Sequence, residues 1–310
     1  MTQLKKASSL HKRNLHLDGY PMDQLLQSYP ELQPHIVSKP DNSLTINFAD
    51  AKAVKALNAA LLAHYYQVSV WDIPAGYLCP AIPGRADYVH YIADLLAVDH
   101  QGEIPTGKQI KGLDIGTGAN LVYPIIANRC YGWSMLGTDV DSLSIKSAKA
   151  IVAANNGLKN GITLRHQANI TAIFAGVINA DEQFDFCMCN PPFHSSAAEA
   201  QTGSQRKVKN LAKHAQKRQS TIVDKSSKGL NFAGQSNELW CVGGELAFIQ
   251  RMITESREYA QQVKWFTSLV SNKKHIVPLT KSLKYIGVTE MKTVDMAQGQ
   301  KVSRFIAWRF

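Results

Sequence analysis

The residues best suited to chemistry stand together at Asn190-Pro191-Pro192-Phe193, directly after the short run Asp185-Phe186-Cys187-Met188-Cys189. The Asn190 carboxamide oxygen accepts a hydrogen bond, and each proline restricts the residue before it, so carbonyls at this turn are aimed at little ordering cost. Phe193 adds a flat apolar face. Two acceptors beside an aromatic plate suit a planar exocyclic amine such as the N6 of adenine: the acceptors orient the NH2 group and the ring stacks on the base. The same tetrapeptide would also serve merely to end a strand in a loop, so the chemical reading needs a second motif.

Asp114-Ile115-Gly116-Thr117-Gly118 provides it. The motif ends an apolar strand and opens a helix, and its glycines let backbone approach a ligand closely. It departs from the dinucleotide fingerprint because Leu121 stands where Gly-x-Gly-x-x-Gly has its third glycine, which disfavours nicotinamide and flavin cofactors. Asp114 suits a ligand whose tail carries an ammonium group, and Asp139, closing the next strand, suits both hydroxyls of a ribose. S-adenosylmethionine has both features and no phosphate. In the same register Asn169, just after the third strand, reaches the adenine edge of such a cofactor.

These residues need strand ends to hold them. A short apolar run stopped by two prolines is a buried parallel strand broken at its carboxyl end, where open α/β sheets place their ligands. From residue 109 the sequence alternates strands (110–115, 133–138, 162–166, 184–189, 263–269, 288–294, 302–308) with helices (to about 130, 142–155, 245–260, 279–286), which predicts an α/β fold with a parallel sheet covered on both faces. Upstream, Asp50 offers an N-cap to a helix with Val54, Leu57, Leu61, Leu62 and Tyr65 on one face. Pro74, Gly76, Pro80, Pro83 and Gly84 then interrupt regular structure before a second amphipathic segment at 86–98, with Arg85 at its mouth. The expected organisation is a loosely structured basic arm (1–47), a helical extension (48–108) and a Rossmann-like domain (109–310) interrupted by a basic insertion at 194–243.

At 310 residues and 45% apolar content the chain holds a real core, and its 34 Lys and Arg against 24 Asp and Glu favour a polyanionic partner. The basic residues cluster in the arm (Lys12, Arg13) and in the insertion (Arg206, Lys207, Lys209, Lys213, Lys217, Arg218), with Lys273 and Lys274 beyond a later strand; these are the candidate contacts to a polyanion, and composition alone leaves RNA, DNA and lipid open. The amino terminus lacks the apolar core of a signal peptide and no run approaches the roughly 18 to 20 residues that span a bilayer, so a cytoplasmic protein without membrane contact is expected. Five cysteines form no Cys-x-x-Cys pair and ten histidines show no ligand spacing, so the thiols read as reduced core groups and no metal is expected.

Taken together, Asp114-Ile115-Gly116-Thr117-Gly118 and Asn190-Pro191-Pro192-Phe193 resemble the class I adenine-N6 methyltransferases. The wider chain is similar to the bacterial 23S ribosomal RNA adenine-N6 methyltransferase family through Val54-Lys55-Ala56-Leu57-Asn58, Trp71-Asp72-Ile73-Pro74, Gly84-Arg85-Ala86-Asp87-Tyr88, Glu238-Leu239-Trp240-Cys241 and Met296-Ala297-Gln298-Gly299-Gln300. Eukaryotic relatives that methylate a spliceosomal small RNA share Gly116-Thr117-Gly118-Ala119, Val122-Tyr123-Pro124 and Cys187-Met188-Cys189-Asn190. The resemblance implies a seven-stranded, mostly parallel sheet of order 3-2-1-4-5-7-6 with its seventh strand antiparallel. It also implies S-adenosylmethionine contacts from Arg85, Gly116, Asn120, Asp139, Asn169 and Asn190, although relatives carry serine at position 120 and threonine at 169. The implied substrate is 23S ribosomal RNA or a large-subunit assembly intermediate. Two rivals are a glutamine-N5 methyltransferase with an Asn-Pro-Pro-Tyr motif acting on protein and a non-catalytic RNA-binding protein; basic charge beside the motif and Phe193 argue against the first, the intact glycine turn against the second.

Overall fold

The computed structural model describes residues 10–193, 240–298 and 301–310. The chain opens with a short helix α1 (Met22–Ser28), a hairpin of β1 (Ile36–Ser38) and β2 (Leu44–Ile46), and two long helices, α2 (Ala51–Tyr66) and α3 (Ile82–Ala97). There follow β3 (Lys111–Ile115), α4 (Val122–Tyr131), β4 (Ser134–Asp139), α5 (Ser142–Ala154), β5 (Ile162–His166) and β6 (Phe184–Cys189). The last part comprises α6 (Gly244–Ser256), β7 (Val263–Leu269), α7 (Ile276–Ile286), β8 (Glu290–Gln298) and β9 (Lys301–Arg309).

Seven strands form one sheet in the order β5-β4-β3-β6-β7-β9-β8. β3 to β7 run parallel, and β9 is antiparallel to both its neighbours. Counted from β3, this is the expected order. β6 shows why the strands read as apolar runs. Phe186 and Met188 enter a core shared with α2, α3 and α4, while Cys187 and Cys189 enter the opposite core beneath α6 and α7. A strand buried on both faces has no solvent side to fill with polar residues. Burial pushes the Cys187 thiol up to about 12, so these cysteines are packing groups, as expected.

The amino-terminal extension is built onto this sheet. One continuous core joins Leu25, Leu61, Tyr66 and Ile92 of the extension to Ile125, Trp133 and Phe186 of the α/β unit. Asp50 caps α2 by accepting from the Lys52 amide at 2.9 Å, as its position predicts. Residues 10–47 differ from the expected loose arm. His11 N and Asn14 Nδ2 donate to the buried Asp87 carboxylate at 3.0 and 2.5 Å, and Arg13 Nη2 donates to Asp94 at 2.8 Å. Met22, Leu25, Leu32 and Ile46 of this segment also enter the core, so it is fixed by apolar packing as well as by buried polar bonds, and the polar bonds leave no periodic trace in the sequence. α3 also starts at Ile82, ahead of the expected 86, and α7 at Ile276, ahead of 279. Pro83 and Pro278 lie in the first turns of these helices, where an N–H has no intrahelical partner and its loss costs nothing.

Candidate active site

Parallel register lines up the strand ends that matter. Ile115 pairs with both Thr138 and Cys189, and Asp139 with His166, so Gly116, Asp139, Gln167 and Asn190 leave the sheet along one edge. They flank the β3/β6 boundary, where the strand order reverses and open α/β sheets form their ligand crevice. A cavity of about 410 Å³ lies there. Its walls are the glycine turn, the β4 end (Thr138, Asp139, Val140), the loop after β5 (Gln167, Ile170, Thr171), Asn190 and Pro192. Leu78, Pro80 and Arg85 close it from the extension, and Trp240, Cys241, Val242, Phe248 and Arg251 from the other side.

The turn after β3 is made by Gly116 and Gly118 at φ 72° and 66°, a left-handed conformation that glycine adopts without a Cβ penalty. A Cβ built on Gly116 meets nothing within 4 Å, so this stretch of backbone is open to a ligand. Leu121 is also left-handed, at φ 55°, with its side chain in the core.

Asp139 both lines the cavity and supports the turn. Its Oδ2 accepts from Gly118 N and its Oδ1 from Asp141 N, each at 2.9 Å. Each oxygen retains a second acceptor site that a pair of hydroxyls can use. Burial raises its pKa.

Asp114 is placed differently from expectation. Its side chain is fully buried and stands behind the wall, not on it, and neither carboxylate oxygen has a hydrogen-bond partner among the described residues. Burial pushes its pKa up to about 8, with Thr117 and Arg85 pulling against this and Asp139 adding to it. A carboxyl whose folded pKa lies above the unfolded value binds its proton more tightly when folded. Stability therefore falls as pH rises through the window from 3.8 to about 8. Asp114→Asn is expected to flatten that slope in urea unfolding measured at pH 5 and 8.5; parallel slopes in the two proteins would contradict the buried, uncompensated carboxyl.

Asn190 lines the cavity with Oδ1 buried and without a partner among the described residues. Pro191 is buried and Phe193 half-buried, and neither lines the cavity. Arg85, in the first turn of α3, lines it and donates through Nη1 to the Tyr123 hydroxyl at 3.1 Å. Burial pushes Tyr123 up to about 12, against the pull of Arg85, so it stays a neutral phenol on the wall. Asn120 lines the cavity too, but its Oδ1 accepts from Val122 N, the first residue of α4, at 3.1 Å. Asn169 is not brought into the wall. It is exposed, and its Oδ1 accepts from Thr171 N and Oγ1 at 3.0 and 2.7 Å; Gln167, Ile170 and Thr171 line the cavity in its place.

Of the basic residues, Lys12 is exposed, whereas Arg13 is paired with Asp94 and is no free cation. Lys273 and Lys274 are exposed in a short 3-10 turn just past β7, on the sheet edge that carries Asn190. The buried Glu245 holds that turn, accepting from Ser271 N at 2.6 Å with His275 Nδ1 at 2.7 Å. Arg206, Lys207, Lys209, Lys213, Lys217 and Arg218 lie outside the described residues. Sequence reasoning assigns no role to Tyr123, Trp240, Phe248 or Arg251, although Tyr123 and Trp240 stand within stretches that carry the family resemblance. Among the described residues no helix is long and apolar enough to cross a membrane. Nor do three His, Cys, Asp or Glu side chains among them form a metal-binding group.

The strand order with its antiparallel seventh strand, the switch-point cavity and the glycine turn define a class I methyltransferase. A family model described as RNA methyltransferase matches residues 4–310, and the chain belongs to that family. Ribosomal RNA large subunit methyltransferase F of Pseudoalteromonas atlantica is 53% identical over 98% of this chain and 93% of its own length. The protein of that name from Desulfotalea psychrophila is 55% identical over 97% and 94%. Among solved structures, the human METTL16 catalytic domain in complex with a MAT2A 3'UTR hairpin superposes with TM-score 0.77 at 29% identity, over 98% of this chain and 96% of that one. The N-terminal domain of human METTL16 in complex with SAH gives 0.72 at 28%, over 97% and 98%.

Proposed function

We propose that the chain transfers the methyl group of S-adenosylmethionine to the N6 of one adenine in 23S ribosomal RNA, free or within a large-subunit assembly intermediate in the cytoplasm. The observation that carries this is the buried Oδ1 of Asn190 on the cavity wall, an acceptor with no hydrogen-bond partner among the described residues. The curated relatives named for ribosomal RNA methylation and the neighbours bound to RNA and to SAH support the substrate and the cofactor.

The cavity fits the cofactor. The open backbone at Gly116 admits its amino-acid end, Asp139 has acceptor sites left for the ribose hydroxyls, and Arg85 offers a guanidinium for the carboxylate. Asp114 acts from behind the wall, where a nearby ammonium favours its ionised form. When bound, the cofactor supplies an electrophilic methyl on sulfonium sulfur. The chain's own task is the amine. An adenine N6 is a poor nucleophile because its lone pair is delocalised into the ring. Asn190 Oδ1 and the Pro191 carbonyl accept its protons and favour a lone pair localised out of the base plane. Fixing the amine in line contributes most of the remaining advantage. The base must leave its stack, and Phe193 offers a replacement face.

Phosphate contacts set affinity without reading sequence. Replacing Arg206, Lys207, Lys209, Lys213, Lys217 and Arg218 by Ser is expected to raise the RNA Kd and to flatten its log-log salt slope by about 0.7 for each single-strand phosphate no longer neutralised. Lys273 and Lys274 add to that surface. Cofactor affinity should not change, and an unchanged salt slope would remove the insertion from the RNA surface. The function itself is tested by mapping N6-methyladenine in RNA from cells lacking the gene. One 23S site should lose its methyl group and regain it with the wild-type gene but not with Asn190→Ala; an unaltered 23S map would overturn the substrate.

A further inference from the structure

Two residues that line the same cavity each carry a buried polar atom with no partner among the described residues. Asn190 Oδ1 can only accept, and Trp240 Nε1 can only donate. They come from different parts of the chain, the end of β6 and the segment entering α6. A buried polar group left unsatisfied is penalised, so two such atoms of opposite polarity in one cavity fit a ligand that bears both a donor and an acceptor.

An adenine presents that edge, with its N6 amine next to the ring nitrogens N1 and N7. We infer that Trp240 is a specificity-determining residue that donates its indole N–H to a ring nitrogen beside the target amine; this rests on the proposed N6 methylation. A guanine would turn its O6 acceptor toward the Asn190 oxygen, and a uracil would do the same with O4. Either base leaves the carboxamide oxygen unsatisfied in a dry site, which is the strongest form of discrimination by hydrogen bonding. The cofactor carboxylate has guanidinium donors available at Arg85 and Arg251, which line the same cavity, and Arg251 rests 5.5 Å above the Phe248 ring. The indole is therefore left for the base.

Short RNA substrates carrying adenosine, 1-deazaadenosine or 7-deazaadenosine at the target test this with wild-type protein and Trp240→Phe, which keeps an aromatic ring and removes the N–H. Wild-type kcat/KM should fall roughly 10- to 100-fold on one of the two analogues, the loss of one buried hydrogen bond. Trp240→Phe should be slower on adenosine by a similar factor, should no longer distinguish that analogue, and should bind S-adenosylmethionine with wild-type Kd. Wild-type protein using both analogues as well as adenosine would overturn the inference however the variant folds. So would a variant that keeps the wild-type analogue ratio while losing cofactor affinity, which places the N–H on the cofactor. Wild-type protein that methylates no RNA at all would instead overturn the proposed function beneath it.

Discussion

Asn190→Ala is expected to lower kcat by about 100-fold or more while leaving thermal unfolding close to wild type. The size follows from removing one positioned acceptor aimed at the reacting group, an effect of about 2.7 kcal/mol or more. The selectivity follows from the site. Most buried acceptors hold some part of the protein together, and their deletion leaves an orphaned donor behind. Asn190 Oδ1 has no such partner among the described residues, so removing this oxygen orphans no donor there. Single-turnover rates with saturating cofactor separate the chemical step from RNA binding. Near-normal turnover would remove Asn190 from the reaction, and a melting temperature lowered by several degrees would mean that the side chain holds the turn.

Asp139→Ala should raise the cofactor Kd by roughly 10- to 100-fold, the loss of a charged acceptor for ribose hydroxyls. The variant should also lose stability, because Gly118 N and Asp141 N both bond to this carboxylate. Asp139→Asn separates the two roles, since it keeps the shape and one acceptor oxygen. Its stability loss should be smaller, and much of the affinity loss should remain. RNA affinity should change little in either variant. Calorimetry showing wild-type cofactor binding in both would refute the ribose role.

The legible parts of this fold are those in which one local signal decides the structure. β6 can be read to the residue because an apolar run meets two prolines, and the glycine turn because few sequences need left-handed backbone just past a strand. Parallel register does the rest, bringing Gly116, Asp139 and Asn190 to one edge as their places at strand ends predict. The departures arise where tertiary contacts decide. Pro83 and Gly84 read as breakers, but a first helical turn tolerates both. Arg13 reads as a free cation, and only Asp94, 81 residues away in sequence, reveals its pairing. Asn169 is placed by register alone, and a side chain that bonds to its own backbone two residues on is turned away from the wall. Trp240 lies at the end of the expected insertion and belongs to no periodic segment, so beyond the resemblance of its stretch it is marked by a buried nitrogen without a partner among the described residues, in the lining of the cavity.

Adenine-N6 transfer to RNA is tested most directly by incubating the purified protein with methyl-labelled S-adenosylmethionine and, in separate reactions, protein-free 23S ribosomal RNA, large-subunit assembly intermediates and isolated ribosomal proteins. After nuclease digestion the label should run as N6-methyladenosine from the RNA-containing reactions, at one position in the sequence, and should be absent with Asn190→Ala. Label on a glutamine of a ribosomal protein, or in no RNA under any of these conditions, would contradict the account.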